Sequence, residues 1–398
     1  MRNHRAASVF FLFAAFIIST PGCKSVPAAS APRAQQAQPN ANSPVEIGGE
    51  APVTISRKPT SGGNKPEFTS VTMLPGRGMN VYQITAALPG KGEIPILNSP
   101  SIEEAATRLT GTGRDRLGGA STSLGGAFLI PYPNRVLGAL SPDGQSIVTS
   151  WRGHKLVLPG GGRGAPRPFA IHGLILKAKA ENLHTLTTPD GQTETAEIDA
   201  GDFGGHWLSS TELNFRIALT AEAVDVTITA KNVGKEAEPM AIGWHPYFRI
   251  PSGDRAQARI HVPATMVAVA NQAIPTGQLI PVKGTEYDYL AADGAPLDDH
   301  ALDTNFSHFQ RTHGMIDVRL IDPEYNYGLH VEGLSPQIQT VQIYSPQGRN
   351  FVAVEDQFNY VDPFGSEWKG IDTGMVALAP GQSVSWRVRL ALFTPGAK

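Results

Sequence analysis

Hydrophobic and polar residues alternate over much of the chain's second half. Leu213, Phe215, Ile217 and Leu219 are separated by Asn214, Arg216 and Ala218, and Val224, Val226 and Ile228 alternate with Asp225, Thr227 and Thr229. Successive side chains of a strand point to opposite faces, so period two with one polar face predicts half-buried antiparallel strands. These two runs are close enough to pair as a hairpin. Similar runs occur over 316–320, 329–331, 341–344, 351–355 and 384–392, separated by turn clusters such as Asp322-Pro323, Ser345-Pro346-Gln347-Gly348 and Pro380-Gly381. One short helix is expected over 102–109, with Ser101 as its N-cap and Glu103 and Glu104 in the first turn. Many strands, few helices and no βαβ rhythm predict an all-β chain, a large antiparallel β-sandwich rather than a parallel α/β fold.

Composition narrows the class further. The 398 residues carry 33 Lys+Arg against 35 Asp+Glu, a net charge of -2. That balance supplies no basic face of the kind nucleic acid requires. With 42 Gly and 32 Pro the chain is heavily punctuated by turns, which excludes a coiled coil or long-helix protein. At 41% hydrophobic and 17% charged it can bury a sizeable core, which excludes wholesale disorder. The single cysteine, Cys23, rules out an internal disulfide and any Cys-rich zinc or iron–sulfur site.

The N-terminus reads separately from the fold. Arg2 and Arg5 precede an apolar run over 6–18, then come Ser19, Thr20, Pro21, Gly22 and Cys23. The run is too short to span a bilayer, which takes roughly 20 residues, but suits a signal peptide's apolar segment. Residues 1–23 resemble a bacterial lipoprotein signal, in which Cys23 would be the lipidated first residue of the exported protein. The other reading is an ordinary secretory leader. Lys24 after the cysteine resembles signals that sort to the outer membrane. Residues 24–66, rich in Ala, Pro, Gln, Ser and Asn, are expected to form mostly a flexible tether, with room for a short strand around 53–55. Residues 67–398 remain as one catalytic-size domain.

Five segments join a polar side chain to a rigid, turn-rich setting. The first ends in Pro131-Tyr132-Pro133-Asn134-Arg135, where Arg offers a planar five-donor fork. The second is Ile171-His172-Gly173, whose glycine admits a close approach by backbone or ligand. The third is Gly243-Trp244-His245-Pro246-Tyr247-Phe248, with His245 expected at a strand's end among aromatic residues. The fourth, Leu302-Asp303-Thr304-Asn305-Phe306, reads on its own as a turn. The fifth places Glu355 at the end of a buried-looking strand, where burial would raise its pKa toward the range of a general base. Each segment alone also reads as ordinary structure. The Gly-rich Gly160-Gly161-Gly162-Arg163-Gly164 is expected to be a surface loop.

In their order and setting these segments resemble the aldose 1-epimerase (galactose mutarotase) family, more closely its broad bacterial branch. The resemblance extends to Tyr344-Ser345-Pro346, Thr373-Gly374-Met375 and Leu378-Ala379-Pro380-Gly381. The sequence departs from the family where Asp356, rather than proline, follows Glu355. The resemblance implies the galactose mutarotase-like sandwich, with Glu355 as general base, His245 as general acid, and Asn134, Arg135, His172 and Asp303 binding a monosaccharide. It implies a cofactor-independent isomerase, and the sequence itself offers no closely spaced His cluster for a metal and no phosphate-cradling loop. The expected partners are thus a sugar and, through the lipid anchor alone, a membrane. Three rivals stand beside it: a phosphosugar 1-epimerase of the same fold, a non-catalytic surface sugar-binding lipoprotein, and a polysaccharide lyase.

Overall fold

The computed structural model describes residues 45–60, 62–161 and 167–396. The leader, Cys23, residues 24–44 and residues 162–166 of the Gly-rich loop lie outside them. Among the described residues two large antiparallel sheets dominate, one of eleven strands and one of nine. The alternating runs become Thr211–Thr220 and Ala223–Asn232, paired as a hairpin from Leu219–Val224 outward, with one residue in two buried. They continue the nine-stranded sheet through Ser383–Phe393, Tyr327–Gly333 and Ile316–Asp322.

The inner faces of the two sheets meet in one apolar core. Aromatic residues mark the seam: Phe128 of the larger sheet lies 5.6 Å from Phe215 and 6.3 Å from Trp386 of the smaller, and Trp244 lies 6.4 Å from Trp386. Such edge-on and tilted contacts satisfy the ring quadrupoles while burying large area. The only α-helix among the described residues is Ile102–Arg108, and Ser101 Oγ accepts the Glu104 N–H at its start. No described helix is long and apolar enough to cross a membrane.

The folded unit begins earlier than residue 67. Val53–Ser56 pairs along its length with Glu67–Leu74, and Ile47 and Ile55 are buried. Residues 24–66 are therefore not a tether throughout. Two well-spaced isoleucines anchor this stretch, and a polar average composition conceals them.

Candidate active site

The sequence has a strong reason to put polar groups on the outer face of the large sheet. Its central strands run in the order Gly126–Leu129, Gly243–Arg249, Phe351–Gln357, Thr340–Ser345 and Leu302–Phe309. On alternate positions Trp244, Val354, Ile343 and Phe306 enter the core. The positions between them face the other way. The register sets Gly243 against Gln357 and Tyr247 against Ala353, so His245 stands opposite Glu355. Glu355 is paired with Gln342, and Gln342 with Asn305. A row His245–Glu355–Gln342–Asn305 thus crosses four strands, and a second row carries Tyr247, Ala353, Tyr344 and Asp303.

Two corrections follow for the local readings. His245 is the third residue of its strand rather than a strand's end, and Asp303 lies in the strand Leu302–Phe309 rather than in a turn. In both cases sheet pairing on both sides overrides the local turn signal.

Loops bring the remaining groups over this floor. Asn134 and His172 both hold left-handed backbone conformations, φ 58° and 63°, and the His172 N–H donates to the Asn134 carbonyl at 2.9 Å. Non-glycine residues in that region cost about 1–3 kcal/mol each and gather where geometry is functional. Gly173 follows with φ 75°, and a Cβ there would sit 2.3 Å from the Ile130 carbonyl oxygen. The close approach expected at this glycine is therefore made by backbone.

The six sequence-derived residues Asn134, Arg135, His172, His245, Asp303 and Glu355 line one cavity of about 310 Å³. Thr122, Tyr247, Gln342 and Tyr344 complete it. Tyr247 and Tyr344 lay in the quoted motifs without a role. Thr122 and Gln342 were missed, although Gln342 is the polar member of an alternating Val341-Gln342-Ile343 and its face was legible. It is the hub of the floor: its Nε2 donates to Asp303 Oδ1 at 2.7 Å, while its Oε1 accepts from Asn134 Nδ2 at 3.3 Å and Asn305 Nδ2 at 3.2 Å. Asn134 Oδ1 in turn accepts the Arg135 backbone N–H at 2.9 Å.

His245 Nε2 and Glu355 Oε1 are 3.3 Å apart, and Gln357 Nε2 donates to Glu355 Oε2 at 2.8 Å. Burial, reinforced by the negative charge of Asp303, holds the Glu355 carboxyl well above the ordinary carboxylate range. Burial also pushes His245 down to about 4. His172, packed edge-on to His245 at 4.9 Å, is held low by burial and then by the charges of His245 and Arg135. Near neutral pH the pair His245–Glu355 therefore shares a single proton. A buried imidazole and a buried carboxyl in contact, holding one proton between them, can give a proton to one oxygen while taking one from another.

Among the described residues, one group of His and carboxylate side chains has ligand atoms within 4.8 Å of one another: Asp317, His330 and Glu332. It lies on the nine-stranded sheet, not in this cavity.

A family model described as aldose 1-epimerase matches residues 108–391. No curated protein matches the chain in sequence. Solved structures do match it in fold. A galactose mutarotase-like protein from Clostridium acetobutylicum superposes with a TM-score of 0.67 at 18% identity, covering 82% of this chain and 92% of its own. An aldose epimerase homologue from C. elegans gives 0.61 at 14%, covering 82% and 95%. Galactose 1-epimerase from Lactobacillus acidophilus gives 0.58 at 15%, covering 86% and 98%. The architecture is thus the galactose mutarotase-like fold.

Proposed function

The chain belongs to the aldose 1-epimerase family, and on that premise we propose that it interconverts the α and β anomers of an aldohexose by general acid–base ring opening and closure. The observation that carries this reading is the buried His245–Glu355 contact on the floor of a polar, sugar-sized cavity.

The chemistry needs one proton removed from the C1 hydroxyl and one delivered to the ring oxygen. Both oxygens are bonded to C1, so a base and an acid in mutual contact can reach them together. Glu355 as carboxylate accepts the hydroxyl proton as the C1–O bond gains double-bond character. His245 as imidazolium protonates the ring oxygen, which leaves C1 with its bonding pair. The open aldehyde turns about C1–C2 and the two transfers reverse on the other face, restoring both groups. Each general acid or base contributes on the order of 10²–10⁴-fold. In the empty site burial favours the proton on Glu355, and the 3.3 Å contact lets it pass to His245 for the step. Arg135, His172, Asn134 and Asp303 hold the sugar hydroxyls, with Gln342 keeping the Asp303 carboxylate in place.

At the N-terminus the proposal retains residues 1–23 as a lipoprotein-type signal, Cys23 as the lipid acceptor, and an exported, membrane-tethered protein. The direct test of the activity is polarimetry of freshly dissolved α-glucose and α-galactose with the purified protein. Faster equilibration than buffer supports it, and equilibration at the buffer rate contradicts it.

A further inference from the structure

A second and larger cavity, about 580 Å³, adjoins the catalytic one. The wall between them is one residue thick in places. His172 faces the catalytic cavity while its neighbours Ile171 and Gly173 line the larger one. Within the single turn Gly119–Ser123, Gly119 lines the larger cavity and Thr122 the catalytic one. The Arg135 guanidinium of the catalytic cavity lies 5.5 Å from the ring centroid of Phe169, which lines the other.

The charge of the larger cavity is one-sided. Arg114, Arg116 and Lys177 line it, and no Asp or Glu does among the described residues. Lys177 Nζ donates to the Gly111 and Arg116 carbonyls and Arg116 Nη2 to Gln145 Oε1, so these contacts leave the positive charges uncompensated. The nearby Asp115 is buried and already paired with Arg77 at 2.6 Å. Phe169 and Phe203 add apolar faces of the kind that sugar C–H surfaces pack against.

Resting on the anomerisation reading, we propose that the two cavities form one cleft, and that the larger half binds an acidic group carried by the saccharide whose C1 reacts in the smaller half. The group is a carboxylate or phosphate, on the reacting sugar or on a unit linked to it. Guanidinium forks match such planar or tetrahedral oxyanions, and a cleft lined by one sign of charge raises the local concentration of the opposite one.

The test compares four sugars: glucose, maltose, glucose 6-phosphate and a reducing disaccharide with a uronic acid linked to glucose. Arg114 and Arg116 are both exposed and outside the catalytic set, so the double variant Arg114→Ala, Arg116→Ala should fold and keep its rate on glucose. With the native protein at low salt, at least one acidic sugar should show kcat/KM about tenfold above its neutral counterpart, the scale expected of two partly exposed charge-assisted contacts. The preference should fall to about twofold or less in the double variant and shrink at high salt. Which acidic sugar is preferred tells whether the acid sits on the reacting unit or on the next. Equal kcat/KM for acidic and neutral sugars overturns the proposal, as does a preference that survives in the double variant. If no sugar is turned over, the anomerisation reading fails separately. Titration calorimetry then decides the subsite: tighter binding of an acidic sugar that is lost in the double variant upholds it, and equal binding overturns it.

Discussion

Glu355 and Asp356 are adjacent in the chain and face opposite ways, one into the catalytic cavity and one into the core. Both oxygens of Asp356 are buried without a hydrogen-bond partner among the protein groups, and burial pushes the carboxyl up to about 8. A group whose folded pKa is raised favours the native state below its unfolded value, and that stability is lost as pH rises through the folded value. Asp356→Asn should therefore raise the thermal midpoint at pH 8 and change it little at pH 4, which melts across that range would check. For catalysis the relevant unit is the one-proton pair. Activity should fall on the acid side as His245 takes a second proton, near the depressed value of about 4, and on the alkaline side as the raised carboxyl gives up the last one. A kcat/KM profile that is flat through neutral pH with two outlying limbs is the expected form. His245→Asn should lower the anomerisation rate by about 10²-fold or more with little change in thermal midpoint. A large loss of stability at an unchanged rate would place His245 among merely structural residues.

At the scale of elements, two contacts hold the site's walls. Gly126 packs so tightly under Trp244 that a Cβ would lie 2.4 Å from the indole nitrogen, and its carbonyl accepts that nitrogen's proton at 2.8 Å. Gly126→Ala must displace the Trp244 strand and with it His245. It should cost about 1–3 kcal/mol of stability and depress turnover, as denaturant unfolding and polarimetry on one preparation would show. The segment that delivers Thr122 is pinned by Asp115, which pairs with Arg77 and accepts the Gly111 and Ala120 N–H groups at 2.8 and 3.0 Å. Asp115→Ala should cost about 3–5 kcal/mol, because it leaves a buried guanidinium without its counterion. Elements of this fold were legible wherever alternation was clean, as in Thr211–Thr220, whose every other residue is apolar. They were less so where pairing partners decide the matter. Asp303 looks like a turn residue until strands on both sides enclose it, and nothing local announces that Ile47 and Ile55 belong to the core. The candidate site was legible because rigid, aromatic or proline-flanked motifs mark His245 and Arg135. Thr122 carries no such mark, since a threonine in a Gly/Ser-rich stretch reads as loop.

Over the whole molecule, buried acids and histidines pull the pH dependence of stability in opposite directions. Glu238, pushed up to about 7 by burial, and Asp356 lose native-state advantage as pH rises from about 4 toward 8. His245 and His172, held low, lose it as pH falls below their ordinary value near 6.5. The thermal midpoint should therefore peak at mildly acidic pH, near about 5, and a maximum at pH 8 or above would contradict these burial assignments. The proposed anchor makes its own demand: native protein should partition into detergent, and Cys23→Ala should move it to the aqueous phase. Both ends of the molecule serve one claim, that a buried proton-sharing pair turns a sugar-binding cavity into an anomerase. Glu355→Gln keeps the side chain's size and hydrogen bonding but cannot take the C1 proton. Polarimetry of α-glucose with this variant, alongside calorimetric binding of the same sugar, addresses the claim most directly. The account predicts retained binding with exchange reduced to the spontaneous rate, and a variant that still equilibrates the anomers at the native rate would contradict it.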